Sequence, residues 1–151
     1  MCYAQIMEPY IHTVHYYETD KMGITHHSNY IRWMEEARVD FLNQIGWGFD
    51  RMEELGIASP VLSVSSHYKH STKFADKVQI EAYVKDCSGL KLFIGYEMKN
   101  TATGETVCNG ETSHCFMTLE GRPIRLKKEY PQLFEALDKN RIEHCTGQNK
   151  A

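Results

Sequence analysis

The densest group of reactive side chains falls between residues 18 and 29, where Glu18, Thr19, Asp20, His26, His27, Ser28 and Asn29 crowd together. Asp20 has two readings there. A carboxylate can attack an acyl carbon directly or activate water as a general base. It can equally serve the loop by accepting hydrogen bonds from turn N–H groups. Just beyond it a helical pattern begins. A helix start offers free N–H groups and the positive end of the helix dipole, a ready place for a developing oxyanion. A base and an oxyanion hole on one loop are the minimum parts for acyl transfer.

These residues need elements to hold them. Residues 12–18, HTVHYYE, read as a first strand, rich in aromatic and β-branched side chains. After the loop TDKMGITHH, a helix is expected from about Ser28 to Ile45. Advancing about 100° per residue, Tyr30, Ile31, Trp33, Met34, Ala37, Phe41, Leu42 and Ile45 fill one half-cylinder, opposite Glu35, Glu36 and Asn43. So wide an apolar face implies packing along a sheet. Ser28 suits its cap or first turn. Gly46 and Gly48 end it, and residues 49–55 read as a short second helix.

From Pro60 onward the period changes to two. Val78, Ile80, Ala82 and Val84 alternate with polar residues, as do Leu90, Leu92, Ile94, Tyr96 and Met98. DCSG (86–89) and NTATGE (100–105) are turns, followed by a strand over about 106–119. Residues 120–126 are expected to form a turn and a last short strand, and 131–137 a terminal helix. One strand, one long helix and four or more long strands in hairpins make an α+β domain, a single antiparallel sheet wrapped around a central helix.

Composition narrows the class. The 151 residues are 42% hydrophobic and 25% charged with 4 Pro and 10 Gly, which suits one compact domain rather than a disordered chain. Seventeen basic against twenty acidic residues give a net charge of −3 with no block of one sign, which disfavours a nucleic-acid partner. No apolar run approaches the roughly 18 residues that span a bilayer. The start, MCYAQIMEPYIH, lacks the basic and apolar regions of a signal peptide. Cys2, Cys87, Cys108, Cys115 and Cys145 form no CxxC pair, so reduced thiols in a cytoplasmic protein are the simplest reading.

The segment VHYYETDKMGITHHSNYIRWMEEAR (14–38) resembles the motif of hotdog-fold acyl-CoA thioesterases of the hydroxybenzoyl-CoA thioesterase type. YKHSTKFADKVQIEAYV (68–84) and FMTLEGRPIRL (116–126) extend the likeness, which covers roughly residues 12–137. The resemblance implies a hotdog fold occupying the whole chain, with residues 138–151 a polar tail. It implies hydrolysis of an acyl-CoA to free acid and coenzyme A, with no cofactor. Asp20 falls on the catalytic carboxylate, Gly23 on the loop glycine, and His27 on the helix-start position whose N–H polarises the thioester oxygen. Asn29 and Tyr30 match residues that shape that helix start. A homodimer or homotetramer with sites at the subunit boundary is also implied.

Departures bear on substrate binding. His26 stands where many relatives carry an aromatic residue, which makes the acyl pocket more polar. Ser71 replaces a common Pro. The turn Ser88-Gly89-Leu90 lacks a basic cluster for coenzyme A phosphates, leaving Lys69, Lys73 and Lys91 as candidates. An acyl-carrier-protein thioesterase shares the motif, but it would need a basic docking face that the net charge disfavours. A non-catalytic acyl-binding module is opposed by the joint presence of Asp20, Gly23 and His27.

Other reactive residues read as structural. His12 and His15, like His67 and His70, have HxxH spacing, but on a strand i and i+3 face opposite sides. Neither pair is expected to hold a metal, nor are His26 and His27. Arg38 is expected in a buried ion pair or subunit contact. Glu35 and Glu36 are expected in solvent, and Cys108 and Cys115 as small hydrophobes. Trp33, Phe41 and Tyr96 either line a pocket or fill the core.

Overall fold

The computed structural model describes residues 7–141 of the chain. Cys2, Cys145 and most of the amino-terminal and tail segments weighed above lie outside the described residues. Strand β1 (Tyr10–Thr13) leads through a 3-10 turn (Tyr16–Glu18) and a loop into helix α1 (Ser28–Gln44). Helix α2 (Phe49–Glu54) and strand β2 (Ile57–Ala58) precede the long strands β3 (Val61–Tyr68), β4 (Lys77–Cys87), β5 (Lys91–Asn100) and β6 (Thr106–Cys115). Strand β7 (Met117–Thr118), α3 (Leu126–Glu129) and α4 (Pro131–Asp138) follow. Five strands form one antiparallel sheet in the order β1-β4-β5-β6-β3, and β2 pairs with β7 beside it. This is the α+β hotdog arrangement, a sheet wrapped around a long helix. Among the described residues no helix is long and apolar enough to cross a membrane.

Helix α1 lies on the sheet because its stripe matches the inward residues of the strands. Tyr30, Trp33, Met34, Ala37, Phe41 and Leu42 are buried against Val78, Ile80, Val84, Ile94, Tyr96 and Met98. Gly110 makes the closest approach possible, since a Cβ there would collide with Met34 and the Ser65 carbonyl. The helix stops at Gly46, whose φ of +85° suits glycine, and Trp47 N–H reaches back to the Leu42 carbonyl.

Several expectations need correction. The first strand covers residues 10–13 rather than 12–18, because Tyr16–Glu18 wind into the 3-10 turn. Ile31 and Leu90 are exposed at 41% and 47%. Ile31 lies on the flank of α1 and Leu90 in the hairpin turn. The strand expected over 106–119 breaks at Phe116, whose side chain enters the core. In place of a last strand, residues 120–126 make one bridge, Met117 to Pro123, and run into α3.

Arg38 is buried, yet its partner is a phenol. Its Nη1–H donates to Tyr96 OH at 3.0 Å, and Thr112 Oγ1 sits 2.8 Å from both that oxygen and His114 Nε2. Among the described residues no carboxylate pairs with Arg38. Burial, reinforced by the nearby guanidinium, pushes the His114 pKa down to about 4 from 6.5. The unfolded chain thus takes a proton that the folded chain refuses, and stability drains away as pH falls from 6.5 towards 4. The full loss is on the order of 3 kcal/mol. His114→Gln keeps a group for Thr112 without titrating, so its stability should be flatter across this interval. Urea midpoints near pH 7 and pH 4.5 read the difference, and equal slopes in both proteins would place the acid sensitivity elsewhere.

Candidate active site

The loop after the 3-10 turn folds tightly around Asp20. Its N–H donates to the Ile24 carbonyl at 2.8 Å, and its own carbonyl accepts Gly23 N–H at 2.9 Å. Its Oδ1 accepts Met22 N–H at 2.8 Å, an Asx turn. Gly23 completes the turn at φ +78°. The turn-serving reading of Asp20 is thus met by one of its two oxygens. One oxygen serves the turn, while Oδ2 accepts no hydrogen bond among the described residues, and the residue is half-exposed. Bridges from Thr19 to Thr25 and from Ile24 to Lys73 tie the loop down.

The start of α1 is held from behind. His26 N–H donates to the Glu18 carbonyl at 2.8 Å, and Asn29 Nδ2–H donates to the same oxygen at 3.0 Å. Ser28 is the first residue of α1, in the first turn as expected, and its N–H donates to His26 Nδ1 at 3.2 Å. Tyr68 OH donates to the His27 carbonyl at 3.3 Å. The His27 N–H itself has no acceptor among the described residues. Tyr30 is buried, and its hydroxyl sits 3.1 Å from Thr72 Oγ1, which lies 2.6 Å from Thr25 Oγ1. This hydroxyl cluster pins the loop to residue 72, and burial raises the Tyr30 pKa.

Behind the loop stands Glu18, which sequence reasoning placed in the polar cluster without a role. Its Oε1 accepts His12 Nε2–H at 2.8 Å and His15 N–H at 2.7 Å, and its Oε2 accepts Trp33 Nε1–H at 2.7 Å. Burial alone would push its pKa up, but these donors together hold it below the ordinary value. Glu36 is not simply solvated. Its Oε2 lies 3.2 Å from His12 Nδ1 and accepts Tyr10 OH at 2.9 Å. Burial first, then Glu36, pushes the Tyr10 pKa up to about 12.

The candidate lysines divide. Lys69 follows β3 at the end where Tyr68 meets His27, and Lys73 bridges to Ile24, so both border the loop. Lys91 opens β5 opposite Cys115, at the far end of the sheet. Trp33, Phe41 and Tyr96 fill the core. Cys108 is a buried thiol whose pKa burial raises, consistent with a small hydrophobe. A cavity of about 270 Å³ lies between β1, the second half of α1 and β4, with no residue of the 18–29 loop in its wall. The loop opens beside the β3 edge instead.

A family model described as "Thioesterase-like superfamily" matches residues 14–140. YneP of Bacillus subtilis (strain 168), provisionally named an acyl-CoA thioesterase, is 33% identical over 127 residues, covering 83% of this chain and 91% of that protein. The acyl-CoA thioesterase YbgC of Haemophilus influenzae is 29% identical over 90 residues, 58% of this chain and 66% of that protein. Among solved structures, a DHNA-CoA thioesterase from Staphylococcus aureus superposes with a TM-score of 0.85 at 32% identity, covering 95% of each chain.

Proposed function

The chain belongs to the thioesterase-like superfamily and is a thioester hydrolase, and from that premise we propose that it splits an acyl-CoA into a free acid and coenzyme A. The observation that carries the reading is the division of labour at Asp20. One oxygen holds the turn and the other is free, on the loop that leads to the unbonded His27 N–H. The free oxygen attacks the thioester carbon, or takes a proton from the water that does. The carbonyl oxygen gains negative charge against His27 N–H and the positive end of α1. The carbon–sulfur bond then breaks, and the thiolate, a good leaving group, takes up a proton. Where Asp20 itself attacks, water then cleaves the acyl–Asp20 anhydride and returns the carboxylate, so in both routes water's oxygen ends in a released acid and the sum is thioester plus water to acid plus thiol.

Gly23 lets the backbone pass close to the acyl group, while His26, Asn29 and Tyr30 fix the helix start. Lys69 and Lys73, which border the loop, are the cations assigned to coenzyme A phosphates in this reading. Thiol release from a panel of short, long and aromatic acyl-CoAs tests the reading. The aromatic arm is motivated by the DHNA-CoA thioesterase likeness. Hydrolysis of at least one class is expected, and no release from any of them overturns the proposal.

The site is proposed to be completed by a second copy of the chain. Strand β3 is an edge, and Val61, Leu62, Val64 and Tyr68 on it are 41–51% exposed. An edge this apolar invites pairing with its own symmetry mate. Antiparallel β3–β3 pairing sets the Val61 end of one copy against the Tyr68 end of the other, which brings the partner's Lys91 towards His27. Two such dimers would make a tetramer. Sedimentation at micromolar concentration should show a dimer or tetramer, and a monomer would sink the arrangement.

A further inference from the structure

His12 and His15 would diverge if both lay on one strand, as i and i+3 do. They do not share a strand. Strand β1 stops at Thr13, and His15 is the extended cap of the 3-10 turn that follows, its N–H donating to Glu18 Oε1 at 2.7 Å. Glu18 thus folds back beside His15, and His12 meets the same carboxylate oxygen at 2.8 Å from the end of the strand. One ligand atom from each of the three lies within 4.8 Å of the others. His12 and Glu18 are buried, and His15 is exposed. We propose that these three side chains bind one divalent transition ion of the zinc class, with His15 closing the site from the solvent side.

The spacing suits the ion. Tetrahedral zinc with donors at about 2.0–2.1 Å sets neighbouring donor atoms about 3.3 Å apart. His12 Nε2 and Glu18 Oε1 already stand 2.8 Å apart, so a small opening admits the metal between them. The ion replaces the proton shared by that pair, which leaves to solvent, while Glu18 Oε1 keeps its bond from His15 N–H. The His15 ring, stacked on Tyr17 at 5.1 Å, swings in by rotation of an exposed side chain. Two imidazoles and one carboxylate favour zinc or nickel over magnesium or calcium, which prefer all-oxygen shells.

A second, independent observation is the shell behind the ligands. Metal-bound histidines hold their other ring N–H on a carboxylate, which fixes the tautomer and raises basicity. His12 Nδ1 has Glu36 Oε2 at 3.2 Å, and Tyr10 OH steadies that carboxylate at 2.9 Å. Trp33 Nε1–H holds the other Glu18 oxygen at 2.7 Å. Each buried ligand is therefore already oriented. The ion would staple the segment that leads into Asp20. This binding goes beyond the hydrolase reading and does not depend on it.

The test uses metal-free full-length protein titrated with Zn²⁺ against a chromophoric chelator, with circular dichroism to confirm that each variant is folded. One equivalent per chain is expected. His15→Ala should weaken binding on the order of a hundredfold, and Glu36→Gln, a residue that touches no metal, roughly tenfold. His70→Ala should leave it unchanged. The proposal is overturned if the chain cannot draw Zn²⁺ from the chelator, if His15→Ala binds as wild type does, or if His70→Ala abolishes uptake. No outcome depends on thioester turnover, so the hydrolase proposal stands or falls separately.

Discussion

Asp20→Asn is expected to cut thioester turnover by roughly three to four orders of magnitude, about 4–5 kcal/mol of barrier, with the fold unchanged. The two halves of this expectation come from the two oxygens of one side chain. Asparagine Oδ1 accepts Met22 N–H just as the carboxylate does, so the Asx turn and the Gly23 bend survive. The other position becomes an amide nitrogen, which can neither attack an acyl carbon nor take a proton from water. The His27 N–H is untouched, so a substrate can still bind and be polarised. The loss should therefore fall on kcat far more than on KM. Thiol release and thermal unfolding on the same preparation separate the cases. Near-normal kcat would remove Asp20 from the chemistry. A large drop in melting temperature would show that the turn, and not the reaction, had been damaged.

What could be read from sequence was local. The Asp20 turn closes within five residues, Asp20 to Ile24, and the face of α1 repeats every turn, so both leave their pattern in neighbouring letters. What escaped was set by distance or by a change of period. Glu18 takes its role from Trp33, fifteen residues on, and nothing in the letters between them marks the bond. His12 and His15 are expected on opposite faces of a strand, but the strand ends at Thr13 between them, and ligand atoms of both lie within 4.8 Å of one another and of Glu18. Strand β3 has no alternation of buried and exposed residues, because almost all of it is exposed. Leu90 and Ile31 were assigned to the core on period alone, although a turn and a helix flank intervene.

Glu18→Ala is expected to destabilise the fold by about 3–5 kcal/mol, the cost of stripping a buried, charge-assisted cluster of its acceptor. The methyl group leaves Trp33 Nε1–H, His15 N–H and His12 Nε2–H without their acceptor, and Trp33 is fully buried. A domain of this size loses about 2–4 °C per kcal/mol, so the melting temperature should fall by roughly 6–20 °C. Glu18→Gln is expected to land between the alanine variant and wild type. Its carbonyl can keep Trp33, and its amide can donate to His12 once that ring carries its proton on Nδ1, where Glu36 accepts it. Only His15 N–H is then left opposite another donor. The order wild type, Gln, Ala separates a hydrogen-bonding role from simple bulk, because Gln fills the same space as Glu. If Gln were as damaging as Ala, the negative charge itself would be what the cluster needs. If Ala cost less than about 1 kcal/mol, the three donors would have found other acceptors. In that case Glu18 would not be the residue that fixes the loop before Asp20.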